Sequence, residues 1–287
     1  MSTPQTPPAQ VPVDYAPLRR HKRNRALIQL CCILVSLFMA VPIYLIALSA
    51  FSTRQGLNQF PQPFWPKNFG TDTMSVFLGS TGITAGLINS LIVGLGTLIV
   101  SSLIGAPAGY AIARFAFRGK DPYQLFLLFT RALPIVVLSV PLARLFLSSN
   151  LFDTPFAVVL LHTALALPTT ILITSSVFLS VPVDAEEAAR IFGCTPAGAF
   201  LRVVLPLALP GMAAASIFTF VMSWNEVLGA TILTFTQRTL PAQVLSSLTD
   251  SPLAYRFAGG LVLVIPALIF IAIMRKYLLN MWGTTIR

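Results

Sequence analysis

Charge is what this sequence has least of. Only 10% of its 287 residues are charged, and 9 are acidic. A soluble globular domain carries roughly 25% charged residues, so these few cannot cover a water-facing surface. Histidine is confined to His21 and His162, and cysteine to Cys31, Cys32 and Cys194. So sparse a set offers no disulfide framework and no metal-ligand spacing. His162 sits alone in an apolar run, with no second histidine or carboxylate at helical spacing. The chain also lacks a G-x-x-x-x-G-K-S/T phosphate loop, a G-x-S-x-G nucleophile turn and an H-E-x-x-H pair. ATP chemistry, if the function needs it, has to come from a partner.

What is present is apolar. Hydrophobic residues make up 55% of the chain, and the mean hydropathy is +0.80. Residues 1–25 form a Pro-, Gln- and Thr-rich segment ending in the basic cluster Arg19, Arg20, His21, Lys22, Arg23 and Arg25, read as a disordered N-terminus. An uncharged run then extends from Ala26 to Thr53, too long for a signal-peptide core. About 20 apolar residues cross the hydrocarbon layer as a helix. Five more runs qualify, within 82–113, 123–147, 155–180, 207–234 and 258–279. The expected fold is therefore an all-α integral membrane protein of about six spans, a transmembrane domain over 26–287 with its core at 82–280. Gly94, Gly96, Gly105, Pro107, Pro134, Pro141 and Pro168 fall inside these runs, where small residues permit close helix approach.

The formal net charge of +10 is distributed by side. With the N-terminus inside, 13 of the 19 Lys and Arg residues fall in inside segments and 4 in outside segments; Arg131 and Arg144 lie within the third run. That bias orients the chain. It predicts a multi-pass protein of a bacterial or archaeal plasma membrane with both termini cytoplasmic. The basic cluster suits topology and anionic lipid, not nucleic acid.

One inside loop, residues 181–211, carries a pattern. Its sequence predicts a short helix, a turn and a second short helix. Asp184 is expected to cap the first, with Glu187 three residues on as in a capping box. Gly193 suits a left-handed turn. Thr195 followed by Pro196 reads as a cap with proline at the first helical position. Pro206 and Pro210 are expected to interrupt the chain as it returns to the membrane.

Those residues resemble the EAA loop of permease subunits in binding-protein-dependent ABC importers. Glu187, Ala188, Ala189, Gly193, Val203, Leu205 and Pro206 match its pattern in register. The resemblance spans roughly residues 27–287 and is nearest the maltose-type sugar permeases. Pro66 to Phe69, Tyr110 to Arg114, and Trp224-Asn225-Glu226 are further similar segments. Arg131 departs, since many such permeases look as if they carry an uncharged polar residue there. The resemblance implies a cytoplasmic coupling helix, with Glu187, Ala188, Ala189, Gly193, Leu205 and Pro206 as the ATPase-coupling residues. It implies a second permease subunit, two ATPase subunits holding ATP and Mg, and an extracytoplasmic solute-binding protein. This chain itself would bind no cofactor and catalyse no bond-breaking step. The solute would be a sugar, an oligosaccharide or a polyol.

Polar residues in the apolar runs are substrate-pathway candidates, because ionisable groups in a membrane are costly. They are Asn225, Glu226 and Trp224 in the fifth run, Arg131 in the third and Asn89 in the second. Each also has a plain packing reading, and Arg144 can snorkel. Two other classes compete. A stand-alone ion-coupled transporter places ionisable residues in several spans and leaves the EAA loop unexplained. A membrane enzyme requires a clustered polar constellation, and no nucleophile or histidine adjoins Asp184, Glu186 and Glu187.

Overall fold

The computed structural model describes residues 16–57, 64–65, 69–247 and 251–283. Residues 1–15 of the expected disordered segment, and Pro66 to Asn68 of the first external loop, lie outside the described residues. Helices run in the order α1 (Ala16–Ala50), α2 (Arg54–Leu57), α3 (Asp72–Gly79), α4 (Ile83–Arg114), α5 (Lys120–Thr130), α6 (Ile135–Ser148) and α7 (Pro155–Ser180). Then come α8 (Val183–Ile191), α9 (Pro196–Ala199), a π-turn (Phe200–Val204), α10 (Leu205–Asn225), α11 (Leu228–Leu233), α12 (Leu240–Ser247) and α13 (Leu253–Gly283). The backbone of the basic cluster from Arg19 is already helical, as the first turns of α1.

Among the described residues, five helical stretches are long and apolar enough to cross a membrane: Arg25–Ala50, Ile83–Arg114, Pro155–Ser180, Pro196–Asn225 and Leu253–Tyr277. The third expected span is not one straight helix. α5 and α6 meet at an 87° bend over Arg131 to Pro134. Proline has no N–H and disfavours a helical residue before it. Leu133 therefore leaves the helix, and Pro134 starts α6 from an extended conformation.

The bent pair nonetheless carries the chain across. α4 and α7 pack in ascending register, with Gly96 against Val159, Gly105 against Thr170, and Gly109 against Thr174 and Ser175. They are parallel, so the segment between them has to return to the starting side. α10 runs against α7, placing Gly211 by Val177 and Thr219 by Thr170. α1 and α13 are antiparallel, with Ile46 beside Gly260. The N-terminal end of α1, the C-terminal end of α13 and the α8 hairpin consequently share one face.

α7 is the central helix: most of its apolar stretch is buried, whereas that of α1 is not. The residues it packs on explain its place. Thr174 Oγ1 lies 2.7 Å from the Thr170 carbonyl of its own helix and 3.0 Å from the Gly105 carbonyl of α4, a contact that needs the two backbones close together. A Cβ on Gly109 would stand 2.2 Å from Thr174 Oγ1 and 2.8 Å from the Ser175 nitrogen. Gly105 and Gly109, four residues apart on one face, thus form the small-residue seam that membrane helices use in place of a hydrophobic driving force. α1 instead shows Leu30, Leu34, Leu37 and Phe38 outward, all at least half exposed, which suits lipid.

Candidate functional site

Two polar clusters lie toward opposite ends of α7, and a third closes the loops on the face away from the α8 hairpin. The first begins with the hairpin. α8 ends in a Schellman arrangement: Cys194 N–H donates to the Ala189 carbonyl and Gly193 N–H to that of Arg190, both at 3.0 Å. Gly193 has φ +90°, where a Cβ is penalised. Thr195 caps α9 by accepting from Gly198 N–H at 3.1 Å, with Pro196 at the first position. Asp184 does not cap α8. The cap position is Pro182, which makes no side-chain bond, and Asp184 lies in the first turn, where a negative charge still complements the helix dipole.

The chain is not interrupted at Pro206 and Pro210. Helix persists from Pro196 to Asn225, so α9 is the opening turn of the fifth span. Pro206 would clash with the carbonyl four residues back in a regular helix. The widened π-turn absorbs this, with Leu205 N–H reaching back to the Phe200 carbonyl. π-turns are frequent at functional sites.

Within the hairpin, Glu186 and not Glu187 is buried, at 4% exposure. Tyr110 donates to Glu186 Oε1 at 2.5 Å, Arg190 to the same oxygen at 2.7 Å, and Arg114 Nε to Oε2 at 3.2 Å. Arg114 also donates to the Val181 carbonyl at 2.8 Å, where α7 ends. Tyr110 packs against Phe178 and Phe200. Two guanidinium groups thus compensate a carboxylate taken out of water, the condition for a buried charge to persist. Glu187 and Ala188 are exposed, as are Gly193 and Pro206; Ala189 is buried and Leu205 half-buried. The hairpin tip is apolar, with Ile191 84% and Phe192 88% exposed.

The second cluster surrounds the break after α10. Glu226 accepts from Gly229 and Ala230 N–H, at 2.9 and 3.1 Å, and so holds the first turn of α11. Its other partner is His162 Nε2 at 2.9 Å, and His162 Nδ1 meets Ser223 Oγ at 2.8 Å. Ser223 continues to Thr97 on α4 at 3.4 Å. Sequence spacing missed His162, because its carboxylate partner comes from another span. Trp224 is 2% exposed, stacked on Phe220 and donating to the Leu263 carbonyl at 2.9 Å. Asn89 is 7% exposed and donates to Gln237 and the Arg238 carbonyl. Both therefore sit in packing. Asn225 is exposed and donates to the Val221 carbonyl at 3.0 Å, and Arg131 is exposed at the α5–α6 bend. Trp224, Asn225 and Glu226 are thus consecutive residues at the α10 break with different surroundings, while Asn89 lies on α4 and Arg131 at the α5–α6 bend.

Asp153 ties the loop before α7 to the loop after α11. Its Oδ1 accepts from the N–H groups of Phe235, Thr236 and Gln237 at 2.8, 2.9 and 3.1 Å, and the Thr236 hydroxyl donates to Oδ2. Burial acts to raise its pKa, but the Thr236 side chain and the three amides outweigh that and hold the carboxyl below the ordinary value. Among the described residues, no group of three His, Cys, Asp or Glu side chains could hold a metal.

Comparison with known proteins adds to this geometry. Residues 105–279 match the family described as binding-protein-dependent transport system inner membrane component. The trehalose transport system permease protein SugB of Mycobacterium tuberculosis is 36% identical over 199 residues, 67% of this chain and 73% of that protein. The diacetylchitobiose uptake system permease protein NgcG of Streptomyces coelicolor is 30% identical over 261 residues, 89% of this chain and 86% of its own. Among solved structures, a bacterial ABC transporter involved in import of the acidic polysaccharide alginate superposes with TM-score 0.69 at 19% identity, covering 89% of this chain and 97% of that one.

Proposed function

The chain belongs to the binding-protein-dependent transport system inner membrane component family, a multi-pass permease subunit of an ATP-driven importer and not an enzyme; from that premise we propose that its solute is a sugar, an oligosaccharide or a polyol. Relatives named for trehalose and diacetylchitobiose support that class. Family membership disfavours a stand-alone ion-coupled transporter.

The observation that carries the mechanism is the α8 hairpin. It holds Glu187 and Ala188 outward and ends in exposed Ile191 and Phe192, a surface suited to a groove on an ATPase subunit. Ala189, Gly193, Leu205 and Pro206 set its shape. The face bearing the hairpin and both ends of the described chain is then cytoplasmic. A second permease completes the pore, two ATPase subunits bind ATP and Mg, and an extracytoplasmic solute-binding protein delivers the solute. ATP bound between the ATPase subunits favours one state of the pore over the other, and that difference in affinity drives the switch. The exposure of Asn225 and Arg131 on this subunit supports the reading that they meet solute.

Co-purification tests the docking surface. Phe192→Asp and Glu187→Lys are expected to reduce recovery of the ATPase subunit several-fold while the chain still inserts in the membrane. Undiminished recovery with both variants would contradict the assignment.

A further inference from the structure

The docking tip of the hairpin and the residue that anchors it are different. The side-chain hydrogen bonds that Tyr110 and Arg114 of α4 make to α8 both end on Glu186. Its partners Tyr110 and Arg114 occupy the last two turns of α4. Arg114 also grips the Val181 carbonyl at the end of α7, and the Tyr110 ring is wedged among Phe115, Phe178 and Phe200. The carboxylate therefore gathers α4, the end of α7 and, through Phe200, the π-turn that leads into α10.

We propose that Glu186, held by Tyr110 and Arg114, is the positioning residue that makes the α8 hairpin move as one body with α4, so that displacement of the hairpin reaches the membrane-spanning core. The inference rests on the reading of α8 as the ATPase-docking element. Two features of the geometry favour transmission over plain adhesion. A link made only of chain would let a short helix tilt at Val181 and Gly193 without moving α4, whereas a carboxylate fixed on both oxygens resists that tilt. α4 in turn is locked to α7 by the Gly105–Gly109 seam and the Thr174 bond, so motion entering at Arg114 is not dissipated there. Charge-assisted bonds of this kind are roughly twice as strong as neutral ones.

The test uses the complete complex of this chain, its partner permease, the ATPase subunits and the binding protein in proteoliposomes. Solute uptake and ATP hydrolysis are measured together for the wild type, Glu186→Gln and Tyr110→Phe. Tyr110→Phe keeps the ring packing and removes only the hydroxyl, so it stands if Glu186→Gln fails to assemble. Both variants are expected to retain the ATPase subunits and hydrolyse ATP, while solute moved per ATP falls roughly 2- to 30-fold, the range seen for substitutions along coupling networks. Uptake and hydrolysis falling in proportion, or a ratio equal to the wild type, would overturn the proposal and leave Glu186 a stabilising ion pair. Wild-type complexes that take up no solute with ATP would instead overturn the importer reading beneath it.

Discussion

Glu186 and Glu187 are adjacent carboxylates with opposite environments. One is enclosed by Tyr110, Arg114 and Arg190, and the other faces outward. The local sequence cannot tell them apart, since α4 contributes the partners from 72 and 76 residues away. His162 is the same case. The α7 sequence carries no carboxylate near it, and Glu226 arrives through the fold from 64 residues on. Removing one partner of a buried hydrogen bond leaves the other unsatisfied, typically at about 1–3 kcal/mol. His162→Leu or Glu226→Leu alone is therefore expected to destabilise the detergent-solubilised protein by that order. The double variant should lose less than the sum, as coupled sites do. Thermal unfolding of the three variants checks it, and strict additivity would show that the contact contributes nothing.

At the scale of elements, the apolar runs made most helices legible, because a span must satisfy its backbone internally. The left-handed turn at Gly193 and the Thr195-Pro196 start were legible too, because each depends on residues within one turn. Continuity through Pro206 was not. Whether a proline breaks a helix or widens it depends on the packing of Val204 and Ala208 beneath. The bend at Arg131 to Pro134 escaped for a similar reason: α6 instead packs against α11, through Ile135 at Gly229.

Asp153 supplies a prediction at this scale. Its folded pKa lies below the ordinary value, so its contribution is complete above the unfolded carboxyl's pKa and is lost as pH falls through the lower folded one. Protection of the Phe235 to Gln237 amides, taken as exchange relative to the intrinsic rate at each pH, should hold at neutral and mildly acidic pH. It should fall only when pH drops below the ordinary aspartate range. Asp153→Asn should remove that dependence; an unchanged acid response in the variant would assign it to another group.

At the scale of the molecule, parallel α4 and α7 require the bent α5–α6 pair to return the chain across the membrane once. The result is six crossings, with the α8 hairpin on the face shared by the ends of α1 and α13. A subunit so built has an apolar outer belt, a polar-linked core around α7 and one projecting hairpin. Its family places ATP hydrolysis in a separate subunit, and the proposed entry point for that work is the hairpin. The direct measurement is uptake of labelled sugars and polyols into proteoliposomes containing this chain with its partner permease, ATPase subunits and binding protein. Uptake that needs ATP and stops when any one component is omitted is the predicted result. Equal uptake by this chain alone, without ATP, would contradict it.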